Sequence, residues 1–383
     1  MNTYLRKNLM LFILLAVFIG LFVAAAQGMK TQDFAITLLR SLSVGSLTFL
    51  VASGFSLIFG LLDVLNLAHG TLFMVGAYIG WTVYVRPDTF VDLLTPLAFI
   101  VSGFLLGDVW TALSNRSPLP SRVRRIIPWA GILVSILILF SILARYPISY
   151  WSLDNYAESP VSIAYSAGQG INVIPPPAAF KAISPSVAFG GLILGSLLLA
   201  FSISLLGNVK MSRPKVNWHS FIGFVIAIFL GILFWVFNDA LTNFLAGLSS
   251  NLLFLAAVFV AVGSGIGLGA LMEITLIRPL YSRPIYQLML TLGLSAIGIE
   301  MVRAVWGQSE FTMARPELFA STGEGCPATS LAGWWQHHCS TIFVLGGRIR
   351  VYNEIFVPIV GLIVLVGVWV LLQRSRLGMI IRA

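Results

Sequence analysis

The sequence predicts an all-α fold: a polytopic transmembrane helical bundle of about ten spans, with both termini cytoplasmic. Three observations predict it. Of the 383 residues, 58% are hydrophobic and only 10% are charged, against roughly 45–50% and about 25% in an average soluble chain. The mean hydropathy of +0.94 exceeds what a soluble globule can hide or a disordered chain would show. The apolar residues also fall in runs close to the ~20 that cross a hydrocarbon core.

In chain order the predicted spans are Leu9–Ala26, Leu39–Leu62, Thr71–Val85, Leu94–Trp110, Ile126–Leu143, Val187–Leu206, Phe221–Phe237, Leu252–Leu271, Leu288–Val302 and Ile355–Leu372. The third, fourth and ninth are short. The first has two readings. Arg6 and Lys7 before it and Ala24–Ala26 at its end resemble a signal peptide, whereas its long apolar core favours a retained helix. Two long polar segments, Arg145–Pro185 and Gly307–Asn353, connect later spans, and neither resembles a catalytic domain. Tyr150 and Trp151 suit an interfacial belt, and Pro175–Pro177 a rigid stretch.

The net charge of +9 reads as a topology signal rather than as a nucleic-acid surface. With the N-terminus inside, alternation places fourteen of the 23 basic residues but only three of the 14 acidic ones in the cytoplasm, +11 inside against −2 outside. The positive-inside rule then orients the bundle. It places Cys326 and Cys339, the chain's only cysteines, outside, where a disulfide can persist. Three readings of the pair stay open: one disulfide, two free thiols, or a metal site with His337 and His338. A structural zinc would want a full tetrahedral ligand set, so no metal is expected.

Candidate chemistry concentrates at Phe59–Gly70, where Asp63, Asn66 and His69 interrupt apolar sequence at three-residue spacing. On a continuous helix they would drift slowly round one face, and ionisable groups at membrane depth are functional candidates. The alternative is a polar turn, Asp63 and Asn66 capping the next helix and Gly70 easing the bend. Gly263, Gly265, Gly267 and Gly269 lack the strand and acid of a nucleotide loop, and are expected to allow close helix packing. Glu273, Arg278 and Arg283 mark a cytoplasmic loop; Glu273 could pair with Arg278 across the turn, but ordinary positive-inside anchoring is the better reading of these charges. Glu300 is expected to pair with Arg303. Ser264 and His69 could serve as the nucleophile–base pair of an intramembrane protease, and nothing further links them. No Gly-x-x-x-x-Gly-Lys-Ser/Thr sequence occurs, so the chain carries no Walker-type ATP site of its own.

Three ordered blocks carry a resemblance. The run Ser43–Gly80, with IFG, NLAHG and GAY, the block from Glu273 to Gly307, and QRSRLGMIIRA at Gln373–Ala383 together resemble the branched-chain amino-acid ABC transporter permeases. Leu67 stands where that family usually has an aromatic residue. The resemblance implies a multi-pass subunit of the bacterial inner membrane, not itself an enzyme. It would pair with a second, identical or homologous permease subunit, two cytoplasmic ATPases that hydrolyse ATP, and an external solute-binding protein. No cofactor would be bound by this chain. Substrates would be branched-chain amino acids or related amides and amino acids. Asn66, His69 and Gly70 become substrate-path candidates; Arg374, Arg376, Leu377, Gly378 and Arg382 become ATPase-coupling candidates.

The expected organisation is an extra N-terminal helix or signal-like segment at 1–38, a first permease block at 39–93, inserted helices and an outer loop at 94–250, and a second block at 251–383. The insertion has no recognised counterpart. Its even number of spans keeps the Glu273–Pro284 loop cytoplasmic. The family continues past the segment like SRLGMIIRA, so the sequence reads as the first part of a longer permease or as a shortened one. Two other classes fit the composition: an ion-coupled secondary transporter, which would need a mid-membrane ion site, and an accessory membrane subunit.

Overall fold

A computed structural model of the chain describes residues 9–62, 64–116, 121–148, 181–206, 218–281, 283–306 and 313–374. It is mostly helical (82%). Among the described residues the α-helices are α1 (Leu9–Gln27), α2 (Thr31–Leu62), α3 (His69–Val85), α4 (Pro87–Leu105), α5 (Gly107–Arg116), α6 (Ser121–Leu143), α7 (Pro185–Leu206), α8 (Trp218–Val236), α9 (Asn238–Ala246), α10 (Ser250–Met272), α11 (Pro284–Trp306), α12 (Leu331–His337) and α13 (Val357–Arg374). Eight helical stretches are long and apolar enough to cross a membrane.

Every predicted span falls on a helix, but two fall short of that standard. Helix α3 has 17 residues, and the apolar stretch described in α1 is Phe12–Ala24. Other boundaries move for local reasons. The fourth span begins at Pro87, not Leu94, because proline at the first helical position is already set to the helical φ. It ends at Leu105, and Trp110 belongs to the separate α5. The ninth is a full 23 residues: Gln287 and Arg303 break the apolar run without breaking the helix.

The chain divides into two compact units. One comprises Tyr78–Ala261 and Val305–Ala314, and so holds the whole of the 94–250 segment. Its core gathers Phe99, Leu139, Ile142, Tyr146 and Leu192 from α4, α6, α7 and the loop after α6. Small residues set the closest approaches, as expected where dispersion rather than water exclusion drives helix association. A Cβ on Gly103 would stand 2.5 Å from the Ser196 carbonyl carbon, and one on Gly231 2.6 Å from the Phe99 ring. The expectation for Gly263, Gly265, Gly267 and Gly269 is corrected: a Cβ on any of them meets nothing within 4 Å. Gly263 with Gly267 and Gly265 with Gly269 each stand one turn apart on a side of α10 that meets no neighbour among the described residues. At the end of this unit away from α5, Arg86 is buried against Asp88 at 2.7 Å, and Asn238 Nδ2 donates to Asp92 at 2.9 Å.

The other unit comprises Met1–Ala77, Val262–Ala304 and Arg315–Ala383. Helices α2 and α13 pack together, with Gly361 against Ser46. An all-α fold is corrected here by a lobe with an antiparallel hairpin, β1 (Thr341–Val344) and β2 (Gly347–Arg350), in register Val344↔Gly347. Leu345 and Gly346 both take positive φ, 50° and 82°, the geometry of a tight two-residue hairpin turn. Phe319, Cys339, Ile342, Ile349 and Val351 fill the lobe. The spans expose many large apolar side chains, for example Phe140 (71% exposed) and Ile285 (75%).

Candidate functional site

Between α2 and α3 the chain leaves the helix. Residues Val64–Asn66 have no regular structure, and Leu67–Ala68 form a turn. Asn66 does not share a helical face with His69, as a continuous helix would require; the chain turns here, but Asn66 bonds within the turn rather than capping α3. Asn66 is buried. Its Oδ1 accepts from the Ala68 N–H at 3.0 Å, and its carbonyl accepts from the His69 N–H at 3.3 Å. This short polar side chain replaces the helical bonds that the break removes.

Buried backbone outside a helix must find hydrogen-bond partners elsewhere in the protein. Here α11 supplies them. Thr291, 1% exposed, accepts from the Leu67 N–H at 3.3 Å, and its one hydroxyl proton can go to the Leu65 carbonyl at 3.3 Å or to the Leu288 carbonyl of its own helix at 3.2 Å. One turn on, the Ser295 and Thr71 hydroxyls are 2.7 Å apart. Apolar packing closes the underside: Val64 and Ala68 with Met272 and Ile277. At that point α10 gives way to a π-helical turn, Glu273–Ile277. Gln287, one turn before Thr291, is 2% exposed. Its Nε2 is buried with no hydrogen-bond partner among the described residues.

His69 opens α3. Its ring lies against Gly54 of α2, where a Cβ would meet Nε2 at 2.6 Å, and it hydrogen-bonds the Val51 backbone. Gly70 does not ease the bend. It is the second residue of α3, exposed and with no positive φ; the bend is made upstream at 64–68.

Glu273 takes Tyr281 rather than Arg278 as its partner. The Tyr281 hydroxyl donates to Glu273 Oε1 at 2.6 Å. That bond, with burial and the carboxylate's charge adding to it and Arg278 opposing, pushes the Tyr281 phenol above its ordinary value of 10.0. Tyr281 wins because the π turn and the Arg278–Leu280 3₁₀ turn bring residue 281 back over residue 273. Arg283 stacks over the Tyr286 ring at 5.8 Å. Glu300 and Arg303 pair at 2.7 Å, both exposed.

Cys326 and Cys339 are disulfide-bonded, with Cα atoms 5.4 Å apart. His337 packs on Gly325. No group of three or more His, Cys, Asp or Glu that could hold a metal occurs among the described residues. Arg374 is the exposed last residue of α13. Asp63, Tyr150, Trp151, Pro175–Pro177, Arg376, Leu377, Gly378 and Arg382 lie outside the described residues.

Sequence reasoning missed Thr71, Gln287, Thr291 and Ser295. Their signal was present as hydroxyls and an amide at four-residue spacing, 287–291–295, on one face of an otherwise apolar helix. Together these features define a helical membrane-spanning protein with a broken helix braced by side-chain hydroxyls. Compared with known proteins, the chain matches no family model, no curated protein and no solved structure.

Proposed function

We propose that the chain is a membrane-spanning permease subunit of an ATP-driven, binding-protein-dependent importer in a bacterial inner membrane, carrying branched-chain amino acids or related small amides. One observation carries the reading. Two of the blocks that resemble the permease family, 43–80 and 273–307, are far apart in sequence, yet residues of the two meet within one unit. Leu67 and Thr291, 224 residues apart, are hydrogen-bonded, as are Thr71 and Ser295.

Ala68 and Leu72 at the start of α3 pack with Met272. Trp81, Val83 and Val85 at its end pack with Leu253 and Ala257. Within each unit, then, a part of α3 lies against a part of α10.

In this reading, partner ATPases close on ATP and pass the motion through the segment that begins at Arg374. The broken helix around Asn66 and His69 borders the path and changes access from one side to the other. The buried amide of Gln287 is the polar group there with a bond left to make. The test is uptake of radiolabelled leucine in cells expressing the chain with its neighbouring transport genes. Deleting the ATPase gene abolishes uptake, and His69→Ala lowers it. Uptake that persists without the ATPase refutes the proposal in favour of ion-coupled carriage.

A further inference from the structure

We infer that the disulfide-closed lobe between α11 and α13 is a lipid-contacting surface, whose apolar pocket takes hydrocarbon from the bilayer. This inference needs only that α13 crosses the membrane and is independent of the transport reading.

The pocket, about 270 Å³, is walled by Phe319, Trp334, Ile342, Ile355, Phe356 and Ile359 among others, every one apolar or aromatic. The one polar atom of Trp334, its Nε1, is already committed to the Cys339 carbonyl at 2.9 Å. A site that selects a polar solute places a few polar groups to orient it; this one has none to offer. Apolar cavities also stay dry, because water entering them finds no hydrogen-bond partners. Hydrocarbon is the occupant that needs neither.

Location points the same way. Ile355, Phe356 and Ile359 belong to Val351–Arg374, one of the stretches able to cross a membrane. The pocket therefore sits where that stretch enters the bilayer. Its lip continues onto α12, where Leu331 (70% exposed) and Trp335 (66%) stand one turn apart on one face. The whole of α12, LAGWWQH, carries no Asp, Glu, Lys or Arg. An uncharged face with an outward tryptophan, continuous with a membrane-crossing helix, has the chemistry of the lipid interface. A docking face for a soluble protein would carry a polar rim.

The experiment places a nitroxide at Leu331→Cys in phospholipid vesicles, with the Cys326–Cys339 bond checked by mass spectrometry. Collision rates with oxygen, which partitions into lipid, are compared with those of a water-soluble nickel chelate. A nitroxide at Gly323→Cys, a position with open space around it, is the aqueous reference. The expected result is an oxygen-to-nickel ratio several-fold higher at 331 than at 323. Equal, nickel-dominated ratios at both sites overturn the proposal and leave the face free in water for a protein partner. Should Leu331→Cys disturb the native disulfide, the wild type and Trp335→Phe are compared in vesicles of brominated lipid. The fluorescence lost with Trp335 is quenched if the inference holds, and its escape from quenching overturns it.

Discussion

Gly103→Ala tests the packing of the 78–261 unit most directly. The added Cβ would lie 2.5 Å from the Ser196 carbonyl carbon and 2.7 Å from its oxygen, where ordinary contact begins at 3.4 Å. Those atoms are backbone, so no rotamer change relieves the clash, and α4 and α7 must part by about 0.9 Å, the shortfall from 3.4 Å. A gap of that size forfeits a quarter to a half of the dispersion energy of neighbouring contacts, among them the Phe99–Phe189 rings at 4.9 Å. It also stretches the Ser196 hydroxyl bond to the Phe99 carbonyl, 3.1 Å, worth ~0.6 kcal/mol by measurement of similar bonds. Overpacking costs ~1–3 kcal/mol, and alanine returns ~0.5–1 kcal/mol of helix preference over glycine. The expected net loss is about 2 kcal/mol. Gly265→Ala has open space around it, so it should be neutral or slightly stabilising. The assay is reversible unfolding in mixed micelles, titrated with dodecyl sulfate and followed by circular dichroism. If Gly103→Ala proves as stable as Gly265→Ala, the close approach of α4 and α7 is refuted.

Three further outcomes are expected. Thr291→Val preserves shape but orphans the Leu67 N–H. Because that bond is long, the loss should be ~1 kcal/mol, the low end for an unsatisfied buried donor; Thr291→Ser should keep the bond, and a serine variant weaker than the valine one would put packing first. Reducing the Cys326–Cys339 bond opens a loop with a sequence separation of 13, worth ~3 kcal/mol in the chain-entropy account. Hydrogen exchange at the β1–β2 amides should then quicken by about a hundredfold, and unchanged exchange would show that the lobe holds without it. Tyr281 should ionise above pH 10.0, because Glu273 holds its proton. Its contribution to stability is complete below the unfolded pKa and is lost as pH rises through the raised folded value. Ultraviolet difference titration checks this, with Glu273→Gln bringing the transition back down.

The helices were legible because the free energy that makes them is local. A run of apolar residues must satisfy its own backbone in lipid whatever its neighbours are, so every predicted span lands on a helix. Boundaries were legible only where local chemistry marks them, and Pro87 was such a mark left unused. The hairpin was legible too: β-branched residues on either side of Leu345-Gly346-Gly347 carry its signature, masked by a reading of that segment as loop. The Glu300–Arg303 pair followed from helix spacing alone.

Hydropathy by itself therefore determined that this chain carries many helices apolar enough to cross a membrane, and it left a turn at Asn66 as one of two readings. That term depends on a residue and its few neighbours along the chain. Tertiary structure alone decided which glycines are buttressed, that Thr291 serves a break 224 residues away, that Tyr281 and not Arg278 takes Glu273, and that Gln287 is left with an unmade bond. Each depends on what another segment brings within a few ångströms, and in lipid such packing is set by shape and hydrogen bonding rather than by hydrophobicity, which is the same on every face.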